Sequence, residues 1–353
     1  MTVRDIDKYR RRHPAQIVSG LEHFMCCAVI PCYNENEALG ETLASLQKAA
    51  STVTEKIAFL AVVNYPAGAD PQESIELCRR IRDGEFGLSN LFMIFAPELK
   101  GGVGEARKIG MDAFLQTLPA EKVPGAVICS MDGDTLVDEN YFREVIRFFN
   151  ENKQGGVSIG LRHYEADTPE QEAAIRRYEA YLDRYSAKLK QAGSPYAFHT
   201  VGSAFAVTGE AYIKGGGMKV RQAGEDFYFL QEIAKTSGVG VIEEKLVFPS
   251  PRISSRTPFG TGQAVKDLLS GKPLSEVSDS AFDRLQKILE TVSIAVLAVD
   301  TPDLPDRAFF EAERFFKVWP GIRRNTPEEK LCQAFHTWFD GLKTLRYLHW
   351  ADA

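Results

Sequence analysis

Two aspartates separated by one residue, Asp132 and Asp134, directly follow an apolar segment of the sequence, residues 126–129. Alternate side chains of a strand point to the same face, so the two carboxylates can converge where the strand ends, and Gly133 lets a ligand approach the backbone closely. Carboxylate oxygens are the hard ligands that Mg²⁺ and Mn²⁺ prefer, commonly shared with phosphates. The spacing predicts a divalent-cation site, while an isolated pair of this kind is also typical of a solvated turn.

Length and composition are typical of a globular protein. With 353 residues, 44% of them hydrophobic, the chain is long enough for one α/β domain of about 250 residues and an appendage. No apolar run reaches the roughly 18 to 20 residues that span a bilayer. The first 14 residues are charged, and no apolar segment of the signal-peptide kind follows them. We therefore expect a soluble, cytoplasmic protein without a transmembrane segment.

Charge and cysteine usage narrow the function classes further. The net charge of −6 argues against a general nucleic-acid binder, so no nucleic-acid partner is expected. The six cysteines form no C-x-x-C pair and no regular disulfide framework, which indicates reduced and mostly structural thiols.

Strand-like and helix-like segments alternate from Phe24 onward. The expected strands are residues 25–30, 57–63, 91–96 and 126–130, and the expected helices between them are residues 37–50, 71–82 and 103–116. This alternation predicts βαβ units and a parallel sheet, whose ligands bind at the carboxyl ends of the strands. Polar residues follow each expected strand, namely Tyr33, Asn34 and Glu35, then Asn64, then Lys100 to Gly102, then Asp132 and Asp134. Four strand ends therefore offer one continuous site.

The second half of the chain predicts further elements and a domain division. A long helix is expected over residues 168–192, strands over 201–208 and 240–247, and a helix after Gly224. Beyond Gly262 the pattern is mostly helical. We therefore expect three parts, an N-terminal extension at residues 1–23, an α/β domain at residues 24–260 and a helical C-terminal region at residues 261–353.

In the order of these clusters the chain resembles the family 2 glycosyltransferases, which are nucleotide-sugar-dependent enzymes. Their GT-A fold is Rossmann-like, with a mostly parallel central sheet flanked by helices, and the resemblance covers about residues 24–258. Its first mark is the segment Ala28 to Glu35, which looks like the family's opening strand and P-x-Y-N-E turn. The resemblance implies that Pro31, Tyr33 and Glu35 border the base and ribose of the nucleotide.

The second mark is the segment from Lys100 to Gly110, which is similar to the glycine-containing loop and A-R-N-x-G helix of the family. Glycine-rich backbone at a helix N-terminus presents N–H groups and a positive dipole end to phosphate, and Lys100, Gly101 and Arg107 are the candidate contacts. A capped helix with solvated basic residues is the alternative. By the family pattern, Asp132 and Asp134 contact the metal, Mn²⁺ or Mg²⁺, and the diphosphate and sugar of the donor.

The third mark is the pair Glu225 and Asp226, which resembles the E-D motif that opens a helix in the family. In inverting members the second acid is the usual general base, so the resemblance assigns Asp226 to take the proton of the acceptor hydroxyl, with Glu225 beside it. A carboxylate near a diphosphate and another acid can have a raised pKa, which suits a base. Helix capping is the alternative for this pair.

Two arginines and one asparagine complete the candidate set. Arg252 and Arg256 lie in a loop bounded by proline and glycine, and either guanidinium can close over a diphosphate or an anionic acceptor. Asn64 stands where the family commonly carries an aspartate that reads the base. Because an amide both donates and accepts hydrogen bonds, this departure leaves the base preference open.

The resemblance specifies the sugar donor more closely than the acceptor. It implies a nucleotide-sugar donor and a hexosyltransferase-like, inverting reaction, but leaves the acceptor open between a glycan, a lipid-linked molecule and a small molecule. The Q-x-x-R-W signature of processive members is absent after Asp226, which argues against polysaccharide extrusion. Apolar residues at helical spacing in the tail suggest core packing or contact in a homo-oligomer, namely Trp338, Phe339, Leu342, Leu345 and Leu348.

Two other functions remain open at this point. A retaining GT-A transferase would carry similar motifs, and the stereochemistry of its product would separate it from an inverting one. A non-catalytic sugar-nucleotide-binding scaffold would keep the fold without turnover. The four acids of the two motifs count against the scaffold, because it has no chemical need for them.

Overall fold

The computed structural model describes residues 1–221, 224–252 and 260–353. Arg256, one of the two candidate loop arginines, lies outside the described residues. The chain divides into two compact units. The sheet unit comprises residues 1–179 and 199–272, and the helical unit comprises residues 180–198 and 273–353. The three-part division expected from the sequence stays a prediction.

A central eight-stranded sheet organises the described part of the sheet unit. Its strands are β1 (Cys26–Cys32), β2 (Ile57–Pro66), β3 (Leu91–Leu99), β4 (Val127–Ser130), β5 (Leu136–Val137), β6 (Gly156–Leu161), β7 (Phe205–Thr208) and β8 (Val239–Phe248). The strand order is β3-β2-β1-β4-β7-β6-β8-β5. Strands β3, β2, β1 and β4 are parallel, whereas β7 runs antiparallel to both β4 and β6, and β5 runs antiparallel to β8. Since β6 and β8 pair in parallel, four of these seven pairings are parallel, and the expected α/β fold is confirmed.

Helices flank this sheet, and the elements described after β8 are all helices. Those described are α1 (Val3–Arg12), α2 (Leu39–Ala50), α3 (Gln72–Arg82), α4 (Gly102–Thr117), α5 (Tyr141–Glu151), α6 (Pro169–Gln191), α7 (Gly209–Lys214), α8 (Glu225–Ser237), α9 (Thr261–Leu269), α10 (Asp279–Thr291), α11 (Ile294–Leu297), α12 (Arg307–Ala312), α13 (Phe315–Arg324), α14 (Leu331–Trp338) and α15 (Gly341–Asp352). Short 3₁₀ helices lie at Leu21–His23, Val123–Gly125 and Glu328–Lys330. No helix in the described ranges is long and apolar enough to cross a membrane.

The apolar runs of the sequence become the inner strands of the sheet. All seven residues of β1 and the first eight of β2 are buried, as expected for parallel strands covered on both faces. Helix α4 lies close against these two strands at Gly110, where an added Cβ would stand 2.8 Å from Val62 Cγ2. This close approach fixes the position of α4, whose first turn follows the carboxyl end of β3.

The N-terminal residues are an integral part of the sheet unit. Thr2 and Asp5 form a capping box that starts α1. From α1, Tyr9 donates its hydroxyl to Asp112 Oδ1 at 2.8 Å, and Tyr212 donates to the same oxygen at 2.9 Å. Helix α1 is therefore tied to α4 through a buried carboxylate.

The helical unit has its own aromatic core. Fully buried rings in it include Phe310, Phe315, Trp319, Phe335, Phe339 and Tyr347. Phe339 and Leu348, two members of the apolar stripe in the tail, belong to this core, while Trp338 is partly exposed and packs on it. The expected helical C-terminal region is thus present, and its role in a homo-oligomer stays a prediction.

Candidate active site

The acidic clusters of the sequence converge at the carboxyl edge of the parallel strands. Asp132 and Asp134 follow β4, Glu35 follows β1, and Glu225 and Asp226 form the first turn of α8. The second turn of α4 brings Arg107 to the same edge.

Arg107 ties two of these clusters together. Its side chain is almost fully buried, and its guanidinium pairs with the carboxylates of Asp132 and Glu225. Its Nε donates to Ser130 Oγ at 3.1 Å, and that hydroxyl donates to the carbonyl oxygen of Gly202 at 2.6 Å. Burial alone would lower the pKa of Arg107, but the surrounding carboxylates outweigh burial and raise it. The resemblance implied a phosphate contact for Arg107, whereas the structure places its guanidinium on two carboxylates.

Glycines allow the clusters to approach this closely. An added Cβ on Gly202 would stand 2.8 Å from Arg107 Cζ, and one on Gly104 would stand 2.8 Å from Glu225 Cγ. An added Cβ on Gly133, between the two aspartates, would stand 2.9 Å from Glu35 Cγ. These distances are shorter than normal carbon contacts, so the three positions require glycine for packing.

Arg252 joins two of the other three carboxylates, those of Asp134 and Glu35. Its Nε lies 2.8 Å from Asp134 Oδ2, and its Nη2 pairs with Glu35 Oε1. Burial would lower the pKa of this guanidinium, and the hydrogen bond to Glu35 together with the charge of Asp134 outweighs burial and raises it. The sequence predicted that Arg252 could close over a diphosphate or an anionic acceptor, whereas the structure pairs its guanidinium with two carboxylates.

Negative charge exceeds positive charge among these side chains. The carboxylates of Glu35, Asp132, Asp134, Glu225 and Asp226 face two guanidinium groups. Burial, followed by the charges of Asp132 and Glu35, raises the pKa of Asp134 to about 6 against the opposing effect of Arg252. Burial and the charge of Glu225 raise the pKa of Asp226 to about 7. Burial and mutual repulsion of the carboxylates are therefore only partly offset by the two arginines.

The carboxylate oxygens at this edge of the sheet are the kind of ligand that a divalent cation prefers. The described residues contain no ready cluster of three His, Cys, Asp or Glu side chains that could hold a metal. Asp132 and Asp134 instead pair with the two arginines. A cation that shares its coordination with phosphate oxygens needs only one or two carboxylates, and Mg²⁺ is commonly bound in this way. The excess of negative charge favours such a cation.

The other candidate nucleotide contacts lie on the same edge of the sheet, and several of their polar groups already form hydrogen bonds within the protein. Asn64 is buried and donates its amide hydrogens to the carbonyl oxygens of Cys32, at 3.2 Å, and Val62, at 2.9 Å. The backbone amides of Lys100 and Gly101, expected to face phosphate, donate to Glu105 Oε2 at 3.0 and 2.7 Å. Glu105 thus caps the N-terminus of α4 from its own first turn.

The opening turn also has a defined conformation. Pro31 is buried within β1, Tyr33 is partly buried, and Asn34 between Tyr33 and Glu35 has a positive φ of 54°. Asparagine adopts this left-handed conformation more readily than most residues. The turn therefore directs Glu35 back under the two aspartates, where it meets Gly133.

Comparison with known proteins identifies a family match. A sequence model described as Glycosyl transferase family 2 matches residues 27–214, which is more than half of the chain. This range includes Arg107, Asp132 and Asp134 and ends before Glu225. No curated protein matches the chain.

Several solved structures are similar to the chain at low sequence identity. Residues 1–349 of S. aureus TarS, also solved in complex with UDP-GlcNAc, are 11% identical in the uncomplexed structure, with a TM-score of 0.46 and coverage of 93% of this chain and 90% of that chain. The mannosyltransferase PcManGT from Pyrobaculum calidifontis, in complex with GDP-Man and Mn²⁺, is 14% identical, with a TM-score of 0.45 and coverage of 95% and 93%. Glucosyl-3-phosphoglycerate synthase from Mycobacterium tuberculosis is 14% identical, with a TM-score of 0.39 and coverage of 78% and 86%.

Proposed function

Since the chain belongs to glycosyl transferase family 2, we propose that it transfers a sugar from a nucleoside-diphosphate sugar to an acceptor hydroxyl with inversion at the anomeric carbon. The observation that carries this proposal is the convergence of the Asp132–Asp134 pair and the Glu225–Asp226 pair on Arg107. This arrangement joins a site for the diphosphate to a candidate base. The acceptor stays open between a glycan, a lipid-linked molecule and a small molecule.

Asp226 is the proposed general base. It stands in the first turn of α8, where the amide of Phe227 donates to its Oδ1 at 2.7 Å. Its neighbour Glu225 is held by Arg107, which fixes the start of the helix and therefore the position of Asp226. A base works best when its pKa lies near the working pH, and burial together with Glu225 brings the pKa of Asp226 to about 7. In the proposed reaction Asp226 accepts the proton of the attacking hydroxyl.

The donor is proposed to lie across the carboxyl edge of the sheet. Pro31, Tyr33 and Asn64 border the base and ribose, and Lys100 and Gly101 lie toward the phosphates. Arg252 or Arg256, the two arginines that the sequence singled out, neutralises charge that develops on the departing diphosphate. Asp132 and Asp134 would hold a Mn²⁺ or Mg²⁺ ion, which when bound supplies further stabilisation of that charge.

Donor binding and base function are tested separately. Thermal stability is measured against UDP-, GDP-, dTDP- and ADP-sugars, each with and without Mn²⁺. A donor at a hundred times its dissociation constant stabilises the folded chain by about 2.7 kcal/mol. Asp226→Asn should keep the shift produced by the donor and lose transfer or donor hydrolysis by about a thousand-fold.

Asp283→Asn is the matched control, because it removes one exposed carboxylate from the helical unit. It should retain both donor binding and transfer. Loss of binding together with transfer in Asp226→Asn would contradict the assigned base. Transfer with retained anomeric configuration would contradict inversion, and donor binding without turnover by the unaltered protein would favour a scaffold.

A further inference from the structure

The contact between Arg252 and two carboxylates bears on how a cation enters the site. Arg252 pairs with Asp134 through Nε at 2.8 Å and with Glu35 through Nη2. The side chain of Glu35 is 5% exposed and that of Asp134 is 13% exposed, whereas that of Arg252 is 40% exposed. The two acids are therefore enclosed, and the guanidinium is the partner with access to solvent.

Arg107, the second arginine of the site, has almost no access to solvent. The side chain of Arg107 is 3% exposed, and it is held by Ser130, Asp132 and Glu225 and packed against Gly202. Moving it would leave two carboxylates and a buried guanidinium without their partners, at a large cost in free energy. Of the two guanidinium groups, only that of Arg252 can leave its carboxylates for solvent at moderate cost.

A divalent cation at Asp134 would meet the positive charge of Arg252. Metal–oxygen distances for Mg²⁺ are about 2.1 Å, so a cation bound by Asp134 would lie close to a guanidinium bound by the same carboxylate. Like charges at such a separation repel strongly where solvent is partly excluded. The two cations therefore compete for Asp134.

We propose that the guanidinium of Arg252 is a tethered cation that a divalent metal ion displaces from Asp134 and Glu35. Displacement leaves the guanidinium available to the diphosphate of the donor, so metal entry and diphosphate recognition become one coupled event. The inference rests on the proposed function, because it takes its metal ion and its diphosphate from the donor reaction.

Binding of Mn²⁺ alone tests this competition, followed by the electron paramagnetic resonance signal of the free aqueous ion at pH 7.5. Arg252→Met removes the competing charge and should bind Mn²⁺ about ten-fold more tightly than the unaltered chain. Arg252→Lys keeps the charge without the fork that bridges two carboxylates, so its affinity should lie between the two. Asp134→Asn added to Arg252→Met should abolish the gain.

Arg147→Met is the matched control, since it also removes one positive charge. Arg147 is 62% exposed and pairs with Glu144 within the first two turns of α5. Its Mn²⁺ affinity should equal that of the unaltered chain. If Arg147→Met showed the same gain as Arg252→Met, net charge would explain the effect and the inference would fail.

Equal or weaker Mn²⁺ binding in both Arg252 variants overturns the inference, as does the absence of Mn²⁺ binding from the unaltered chain and these variants alike. Arg252→Lys keeps the test valid if the methionine variant does not fold. Failure of the proposed function is a separate result. It would appear as absent sugar transfer in a chain whose Arg252→Met variant still gains affinity for Mn²⁺.

Discussion

Glu225 packs directly against the backbone of Gly104, so that a methyl group on Gly104 would stand 2.8 Å from Glu225 Cγ and 2.9 Å from Glu225 Cβ. These are the inner carbons of the side chain, which cannot move without shifting the start of α8. We therefore expect Gly104→Ala to displace Glu225 and Asp226 and to lower kcat for transfer by about a hundred-fold. Steady-state kinetics with a saturating donor measure this effect.

Gly40→Ala is the control for this substitution. Gly40 also lies within a helix, α2, but its added Cβ would meet Phe86 at an ordinary 3.9 Å. Alanine is the better helix former by about 1 kcal/mol, so Gly40→Ala should leave transfer unchanged and raise stability slightly. Unchanged kcat in Gly104→Ala would show that the position of Glu225 does not matter for the chemistry.

The pKa of Asp226 predicts the pH dependence of transfer. A general base must be deprotonated in the free enzyme, so kcat/KM should fall about ten-fold per pH unit below a pKa of about 7. Burial and Glu225 are the causes of this high pKa. The profile is measured between pH 5 and 8.5, and a kcat/KM that stays constant down to pH 5, as the ordinary pKa of 3.8 would give, would argue against Asp226 as the base.

The same pKa predicts how stability depends on pH. Folding raises the pKa of Asp226, so the folded chain binds this proton more tightly than the unfolded chain. The stability that this group contributes is present below 3.8 and is lost as the pH rises through about 7. Asp226→Asn removes the titration. The excess of its Tm over that of the unaltered chain should therefore grow between pH 5 and pH 8.5, by about 5 °C, measured with a chelator present.

Arg107 is expected to be a major contributor to stability because its guanidinium and the carboxylate of Glu225 are both enclosed. Arg107→Met leaves the carboxylates of Asp132 and Glu225 without their cation and should reduce the free energy of unfolding of the sheet unit by about 3–5 kcal/mol. The double variant Arg107→Met with Glu225→Met should recover part of this loss, because the more buried of the two carboxylate partners is then also absent. Urea unfolding followed by fluorescence measures both.

The ion pair between Lys48 and Glu139, whose side chains are 71% and 53% exposed, provides the comparison for Arg107. Exposed ion pairs contribute at most about 1 kcal/mol, so Lys48→Met should change stability little. A loss of similar size in both variants would mean that burial of the Arg107 pairs does not set their strength.

Asn64→Asp tests whether the aspartate common in the family could be restored here. The amide of Asn64 donates to the carbonyl oxygens of Cys32 and Val62. A carboxylate at position 64 would instead bring a negative charge against these two acceptor oxygens. We expect a loss of about 1–3 kcal/mol in stability. Asn140→Asp, at the N-cap of α5, should be neutral or stabilising because aspartate is favoured there. Thermal unfolding of both variants provides the measurement, and an unchanged Tm in Asn64→Asp would contradict the role given to the amide.

The sequence predicted the parallel half of the fold better than the other half. Its apolar runs correspond to β1 to β4, because buried parallel strands are continuous in sequence and separated by amphipathic helices. Strands β5, with two residues, and β6 were not predicted. In β6, an added Cβ on Gly160 would stand 2.7 Å from the carbonyl oxygen of Glu243. The requirement for glycine at position 160 comes from a strand about eighty residues later in the sequence. The local sequence pattern around Gly160 therefore could not predict it.

The same reasoning separates what could be predicted of the site from what could not. The acids at Asp132, Asp134 and Glu225 were recognised because motifs are local, and the carboxyl-edge rule brings them together. Their pairing with Arg107 was not predicted, since Arg107 and Glu225 lie 118 residues apart. Ser130 and Glu105 were missed for a related reason, because a serine at the end of a strand and an acid in a first helical turn are ordinary residues until their partners are known.

The shared guanidinium of Arg107 also has a consequence for protein engineering. Because one guanidinium contacts both the aspartate pair after β4 and the acid pair of α8, these two pairs must come from the same parent sequence, although they are distant along the chain. A chimaera joined anywhere between Arg107 and Glu225 would combine halves from two parents whose charges and packing at this point were never matched. Recombination with a related enzyme should therefore use crossover points after Arg252, so that the whole charged assembly, with the pairs of Arg252 to Glu35 and Asp134, comes from one parent.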